Sequence, residues 1–207
     1  MTLDAWFVFV AAAVLLCLSP GANNLLALTN GLRYGVLPSL AAVIGRLVAF
    51  ALMIAVTALG LGALLAASET AFQVIKWAGV VYLLYLGLKA WRSPAPALLQ
   101  AEAAPATLSL ATLARRECLV AIGNPKAILI FTAVFPQFLV PGEAALPQFA
   151  VMGATFLVTE VFAALAYVIS GRCFAPLLRD RARLVNRLSG GLLLAAAGLL
   201  ASASRRA

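Results

Sequence analysis

The sequence predicts an all-α membrane protein with six transmembrane helices, arranged as a 3+3 inverted repeat in which helices one and four are broken at proline. Of the 207 residues, 64% are hydrophobic and 11% are charged, with a mean hydropathy of +1.05. Soluble domains are about 45–50% apolar and about 25% charged. The composition therefore excludes a water-soluble enzyme, a nucleic-acid-binding domain and a disordered protein. At about 20 residues per spanning helix, this length accommodates six spans with short loops.

The chain contains no histidine, and its net charge is +8. The absence of histidine excludes histidine-ligated metal sites, Ser-His-Asp hydrolases and imidazole proton relays. We expect no metal, no cofactor and no nucleic-acid partner. In a membrane protein, the positive charge is better explained by basic loops that remain in the cytoplasm.

Six apolar segments define the predicted helices, at about 5–28, 37–67, 71–91, 118–139, 146–171 and 188–204. The first segment follows Asp4 and has no basic residue before it, so we expect a retained helix rather than a signal peptide. Prolines 94, 96 and 105 lie among alanines between the third and fourth segments. The predicted organisation is one integral membrane domain with a first repeat at 1–92, a cytoplasmic linker at 93–116 and a second repeat at 117–207.

Basic residues orient the chain in the membrane. Loops one, three and five carry ten of them, and loops two and four carry none. Because basic loops remain in the cytoplasm, both termini are predicted to be periplasmic. Arg205 and Arg206 oppose this orientation, and a five-span chain with one re-entrant segment would move one terminus. The ten loop residues are Arg33, Lys89, Arg92, Arg115, Arg116, Arg172, Arg179, Arg181, Arg183 and Arg187.

A faint internal repeat relates the two halves. The pattern basic-x-small-Gly-x7-Gly-Leu begins at Lys76 and again at Arg187, 111 residues later. The first apolar segment is interrupted by residues 19–24, which contain Pro20, and the fourth by residues 123–127, which contain Pro125. Three spans in each half place the two halves in opposite orientations, an architecture found in many secondary transporters.

Paired breaks of this kind indicate a substrate site. A proline removes one backbone donor and clashes with the preceding turn, and the freed polar groups must find a partner or line a wet cavity. A single proline is usually only a kink. Breaks at matching positions in two halves are the best sequence indication of a transporter binding site.

At these breaks the chain resembles the LysE/RhtB family of amino-acid exporters. The resemblance extends over nearly the whole chain, and it implies an inner-membrane exporter of amino acids or related metabolites in bacteria, driven by an ion gradient. Ala22 departs from the family pattern, which commonly has a second proline there. The residues that carry the resemblance are SPGANNLL (19–26), GLRYG (31–35), KWAGVVYLLYLG (76–87), NPKAILIF (124–131), FPQF (135–138) and RLSGG (187–191).

Lys76 lies inside the third apolar segment, close to its outer edge, where its charge can reach the membrane surface. Three further ionisable residues fall deeper inside the apolar segments: Arg46, Lys126 and Glu160. Such groups are costly in a membrane and are functional candidates by default. At about 1.5 Å per residue, they lie at similar depths in the cytoplasmic half, near both breaks. We expect a substrate site made of Pro20, Gly21, Asn23, Asn24, Gly45, Arg46, Asn124, Pro125, Lys126 and Glu160.

An amino-acid zwitterion needs donors for its carboxylate and acceptors for its ammonium group. Arg46 or Lys126, with backbone amides freed near Gly21 and Asn124, are candidates for the carboxylate. Glu160, with the side-chain carbonyls of the break asparagines, is the candidate for the ammonium group. Glu160 is also the predicted proton carrier, since burial favours the neutral form of a carboxyl group. The alternative is a static buried pair of Glu160 and Lys126.

Other functional classes remain open at this point. A transmembrane thiol/disulfide electron carrier would use Cys17 and Cys118, which lie in the first and fourth segments but in no CxxC motif. A scaffold protein would need neither the paired breaks nor Glu160. Glycine-lined helix faces permit a homodimer. The sequence leaves open which amino acid is the substrate.

Overall fold

The computed structural model describes residues 3–67, 69–92, 108–140, 142–180 and 182–202. The described part of the chain is helical and has no β-strand. The helices are α1 (Leu3–Leu18), α2 (Ala22–Tyr34), α3 (Val36–Ala67), α4 (Glu69–Arg92), α5 (Leu110–Ile122), α6 (Pro125–Leu129), α7 (Ala145–Asp180) and α8 (Ala182–Ser202). A π-helical turn, Ile130–Val134, and a 3-10 turn, Phe135–Phe138, extend α6.

Both predicted helix breaks are present. The axes of α1 and α2 differ by 56°, and those of α5 and the segment Pro125–Phe138 differ by 54°. The residues between the paired helices include Pro20 in the first break and Asn124 in the second. In the described chain, α3 and α7 are long and apolar enough to cross a membrane by themselves, and each bent pair qualifies when it is counted as one span. Helical, apolar architecture is confirmed, whereas the six-span inverted repeat remains a prediction.

The fourth predicted segment begins earlier than expected. The sequence predicts a start at residue 118, after a linker at 93–116, but α5 begins at Leu110. Ser109 caps this helix, because its side chain accepts a hydrogen bond from the Thr112 amide at 3.2 Å. Hydropathy concealed the first two turns, since Arg115, Arg116 and Glu117 interrupt the apolar run. The predicted linker prolines lie outside the described residues, as do Arg205 and Arg206.

Two kinds of packing hold the helices together. A cluster of phenylalanines joins α1, α3, α7 and the turns after α6, with ring centroids 5.1–6.1 Å apart. Its members are Phe9, Phe50, Phe131, Phe135, Phe138, Phe149 and Phe156. We call them the phenylalanine cluster.

Glycines carry the closest helix crossings. A Cβ on Gly45 of α3 would lie 1.9 Å from the Ala114 carbonyl oxygen of α5, and one on Gly31 of α2 would lie 2.2 Å from that of Val168 in α7. Gly87 and Gly190, which belong to the two copies of the sequence repeat, likewise meet between α4 and α8. Small residues let backbones approach in this way, as is common between membrane helices.

Candidate functional site

The two helix breaks meet in the interior of the protein. The Asn124 side-chain amide donates a hydrogen bond to the Asn23 side-chain oxygen at 2.9 Å, and so joins the second break to the first. Asn124 also caps α6, since its oxygen accepts from the Lys126 amide at 3.0 Å. In the first break, Gly21 occupies the cap position of α2, and no side chain caps this helix. The first amides of α2 therefore have no intrahelical or capping partner.

The last carbonyl oxygens of α1, which have no partner within the helix, each accept a hydrogen bond from a side chain. Ser19 Oγ donates to Leu16 O at 2.8 Å, and Asn24 Nδ2 donates to Cys17 O at 2.6 Å. Helix α7 contributes Tyr167, whose hydroxyl donates to Leu18 O at 2.7 Å. Lys126 Nζ donates to Ser19 O at 2.6 Å. The break is thus stabilised by side chains from three different helices, as a membrane interior requires.

Arg46 lies at the centre of the buried polar groups and is itself fully buried. Its side chain ion-pairs with Glu117 of α5 and with Glu160 of α7, each at 2.8 Å. It also donates to the Asn24 side chain at 3.2 Å and to the Asn23 carbonyl oxygen. These contacts, with a second bond from Nε to Glu117, occupy all five guanidinium N–H groups. Arg46 therefore connects α3 to α2, α5 and α7.

A small cavity of about 20 Å³ lies where the breaks meet. This volume exceeds the roughly 10–15 Å³ that an ordered water molecule needs. One part of the wall is polar and includes Lys126 and Glu160; the other part is apolar and includes Phe50 and Phe156 of the phenylalanine cluster. The lining residues are Leu16, Cys17, Gly21, Asn23, Asn24, Phe50, Asn124, Lys126, Ala127, Ile130, Phe156 and Glu160.

The structure brings most of the predicted site residues together, and six of the ten line the cavity: Gly21, Asn23, Asn24, Asn124, Lys126 and Glu160. Pro20 lies within the first break and Pro125 is the first residue of α6 after the second, and neither lines the cavity. Gly45 faces α5 rather than the cavity.

Arg46 lies behind Glu160 and does not line the cavity. Its five donors are all occupied by protein acceptors, and the assignment of a substrate carboxylate to Arg46 stays a prediction. Lys126 is the cation on the cavity wall.

The alternative of a static Glu160–Lys126 pair does not describe this structure. Glu160 pairs with Arg46, and the Lys126 ammonium group is bound to the Ser19 carbonyl oxygen. The two cysteines of the electron-carrier alternative are both free thiols.

Sequence reasoning missed Glu117, which is fully buried and binds Arg46 with one oxygen and the Asn30 amide with the other. Its position beside two arginines made it appear to be the end of a loop. The spacing of four residues could have indicated its burial, because Leu113, Glu117 and Ala121 lie on one face of a helix, and this is the buried face of α5.

Comparison with known proteins agrees with the earlier resemblance. The sequence model of one family, described as "LysE type translocator", matches residues 14–204. The chain belongs to the LysE translocator family. LysE translocators are transporters, so the protein is a membrane transporter and not an enzyme.

Curated relatives are similar to this LysE-family chain over almost its whole length. An uncharacterized membrane protein of Vibrio cholerae is 36% identical over 98% of this chain and 99% of its own. The homoserine/homoserine lactone efflux protein of Salmonella typhimurium is 31% identical over 98% of both chains. A leucine efflux protein of an Enterobacter strain is 29% identical over 97% of this chain and 96% of its own. No solved structure matches. These findings give no support to the thiol/disulfide carrier.

Proposed function

We propose that the protein exports amino acids or closely related small metabolites across the bacterial cytoplasmic membrane, as a secondary transporter driven by the proton gradient. The observation that carries this proposal is the meeting of two broken helices at one cavity with ionisable groups on its wall. Transporters with discontinuous helices bind their substrates at such places. The relatives named as homoserine and leucine efflux proteins support amino acids as the substrate class.

The cavity wall offers complementary groups for a zwitterion. Glu160 and the side-chain oxygen of Asn23 are acceptors suited to an ammonium group. The uncapped first amides of α2 are donors suited to a carboxylate. The apolar wall, with Phe50 and Phe156, suits an uncharged substrate side chain. Because the cavity is much smaller than an amino acid, substrate entry requires the walls to move apart.

The arrangement in the membrane is part of the same proposal. Two inverted repeats of three spans, with both termini in the periplasm, place the arginine-rich loops in the cytoplasm. A homodimer is compatible with this arrangement. Alternating access would then occur around the fixed polar groups between the two halves.

The test is an efflux measurement with L-leucine and L-homoserine in cells that lack or overproduce the protein. We expect the overproducing cells to retain less of at least one labelled amino acid. Glu160→Gln removes the predicted ammonium acceptor, so efflux should fall to the level of cells without the protein. Glu143→Gln, on the exposed loop before α7, is the matched control and should leave efflux unchanged. Equal retention of both amino acids with and without the protein contradicts the proposal.

A further inference from the structure

Four ionisable groups are buried at the meeting point of the breaks: Arg46, Glu117, Lys126 and Glu160. Arg46 holds both carboxylates at 2.8 Å. Among the described residues, no carboxylate oxygen lies within 4.0 Å of Lys126 Nζ, whose hydrogen-bond acceptor is the Ser19 carbonyl oxygen. Lys126 is therefore the charged group in this cluster that lacks a paired counter-charge.

We propose that Lys126, rather than Glu160, carries the transported proton. This inference rests on the proposed function, because it assigns a role within the same cavity. A buried charge is stable when it is paired and hydrogen-bonded, and costly when it is not. Glu160 is paired with Arg46 at 2.8 Å. Lys126 Nζ has a backbone carbonyl oxygen as its acceptor, so loss of the lysine charge breaks none of the ion pairs described here.

The surroundings of Lys126 allow one cation to replace another. Arg46 with its two carboxylates has a net charge of −1 when all three groups are ionised. Either the Lys126 ammonium group or the ammonium group of a substrate can neutralise this charge locally, when the substrate carboxylate is held by the uncapped amides of α2. The Lys126 ammonium group binds Ser19 O, and a substrate ammonium group would take this acceptor together with Glu160 on the cavity wall. The two cations therefore compete for one place, which is the requirement for exchanging a proton against a substrate.

The exchange balances as a proton transfer. With the cavity open to the cytoplasm, an N–H bond of Lys126 breaks, its electron pair stays on Nζ, and water takes the proton. The substrate then enters with its ammonium group in place of the lysine charge. With the cavity open to the periplasm, the substrate leaves, and Nζ binds a proton from water. One proton enters the cell for each substrate molecule exported.

Other groups facing Lys126 come from each of the surrounding helices. Cys17 of α1, Arg46 of α3 and Glu160 of α7 all act on it electrostatically. Glu117 of α5 binds Arg46. Tyr167 of α7 donates to the Leu18 carbonyl oxygen, next to the Ser19 carbonyl that accepts from Lys126. Gly21 gives the lysine chain its space, because a Cβ there would lie 3.3 Å from Lys126 Cδ.

The experiment uses the full-length protein in proteoliposomes with the membrane potential clamped to zero. Two transport modes of L-leucine and L-homoserine are compared: accumulation driven by a gradient of one pH unit, and exchange without a gradient. For one-for-one coupling, one pH unit supports a substrate gradient of about tenfold. Lys126→Gln, which mimics the neutral lysine, should keep exchange but lose the gradient, from about tenfold to about onefold. Lys126→Arg, whose charge is permanent, should lose both modes. Glu160→Gln should also lose both modes, because it removes the ammonium acceptor.

A second measurement covers the case in which Lys126→Gln does not fold. In weakly buffered detergent solution, the wild-type protein should release about one proton for each L-leucine or L-homoserine molecule it binds. A release near zero overturns the inference, as does a tenfold gradient that persists in Lys126→Gln. Glu160→Gln that exchanges substrate but lacks the gradient assigns the proton to Glu160 instead. Absence of both transport modes in the wild type contradicts the proposed function as well, so the two failures are distinguishable.

Discussion

Arg46 is the residue on which the buried polar groups depend. Its guanidinium group is planar and carries five donors, and here each donor has an acceptor from α2, α5 or α7. A lysine at this position would offer three donors and a single point of charge. The pairing also explains how two carboxylates can be buried together, since one guanidinium group lies between them.

Removal of Arg46 should strongly destabilise the protein. Arg46→Met leaves Glu117 and Glu160 as buried carboxylates without a partner, and breaking a buried pair in this way costs about 3–5 kcal/mol. Thermal unfolding in detergent, followed by tryptophan fluorescence, measures the change. Arg116→Met removes an exposed arginine of α5 and is the matched control, for which we expect a shift close to zero. Equal unfolding temperatures for the two variants would contradict this role.

A double substitution isolates the ion pair itself. If Glu117 acts through Arg46, Glu117→Gln should cost much less stability in the Arg46→Met background than in the wild type. Additive effects would mean that Glu117 stabilises α5 independently of the arginine.

At the scale of the elements, the breaks and the close crossings have different causes. Proline and glycine end α1 and start α2, and asparagine and proline do the same between α5 and α6. These are local effects that a sequence displays. The crossing of α3 with α5 depends instead on which residue faces Gly45 across the interface, and that residue is distant in the sequence.

Substitution of Gly45 tests the crossing. In Gly45→Ala, the new Cβ would lie 1.9 Å from a backbone oxygen of α5, so the helices must separate. We expect a loss of about 1–3 kcal/mol, as for other overpacked sites, and a fall in transport because Arg46 lies next to Gly45. Gly60→Ala in the same helix meets nothing within 4 Å and should be neutral or stabilising by up to about 1 kcal/mol. Thermal unfolding of the two variants decides between these expectations.

The sequence anticipated much of the fold and a large part of the candidate site. Hydropathy located the long helices α3 and α7, and paired prolines located both breaks. The start of α5 was missed because its first two turns are polar on one face. Six predicted residues line the cavity, but the ion pairs of Arg46 could not be predicted, since a sequence does not show which acceptors surround a buried donor.

Over the whole molecule, the polar groups lie between two ends of different character. On one side of Arg46 and Glu160 are the rings of the phenylalanine cluster. On the other side, glycine crossings bring α2 and α5 against the long helices. Aromatic side chains can change rotamer, whereas backbones in contact must move as whole helices. The polar groups are therefore flanked by side-chain packing on one side and by backbone contacts on the other.

Orientation in the membrane can be tested with fusions to reporter proteins. Since ten basic loop residues favour the cytoplasm, alkaline phosphatase fused after the C-terminus should be active, and green fluorescent protein there should be dark. Fusions after Leu99, in the predicted third loop, should show the reverse. A fluorescent C-terminal fusion would instead place that terminus in the cytoplasm and favour an odd number of spans.

The sequence by itself determined the class of protein, its apolar helices and the positions of the two breaks. Composition and local backbone chemistry decide these features, and both can be seen in short stretches of the chain. Only the tertiary structure decided that Arg46 is occupied by Glu117 and Glu160 while Lys126 faces the cavity without a counter-charge. The physical reason is that pairing of buried charges depends on the side chains of distant helices, and folding alone brings these within hydrogen-bonding distance.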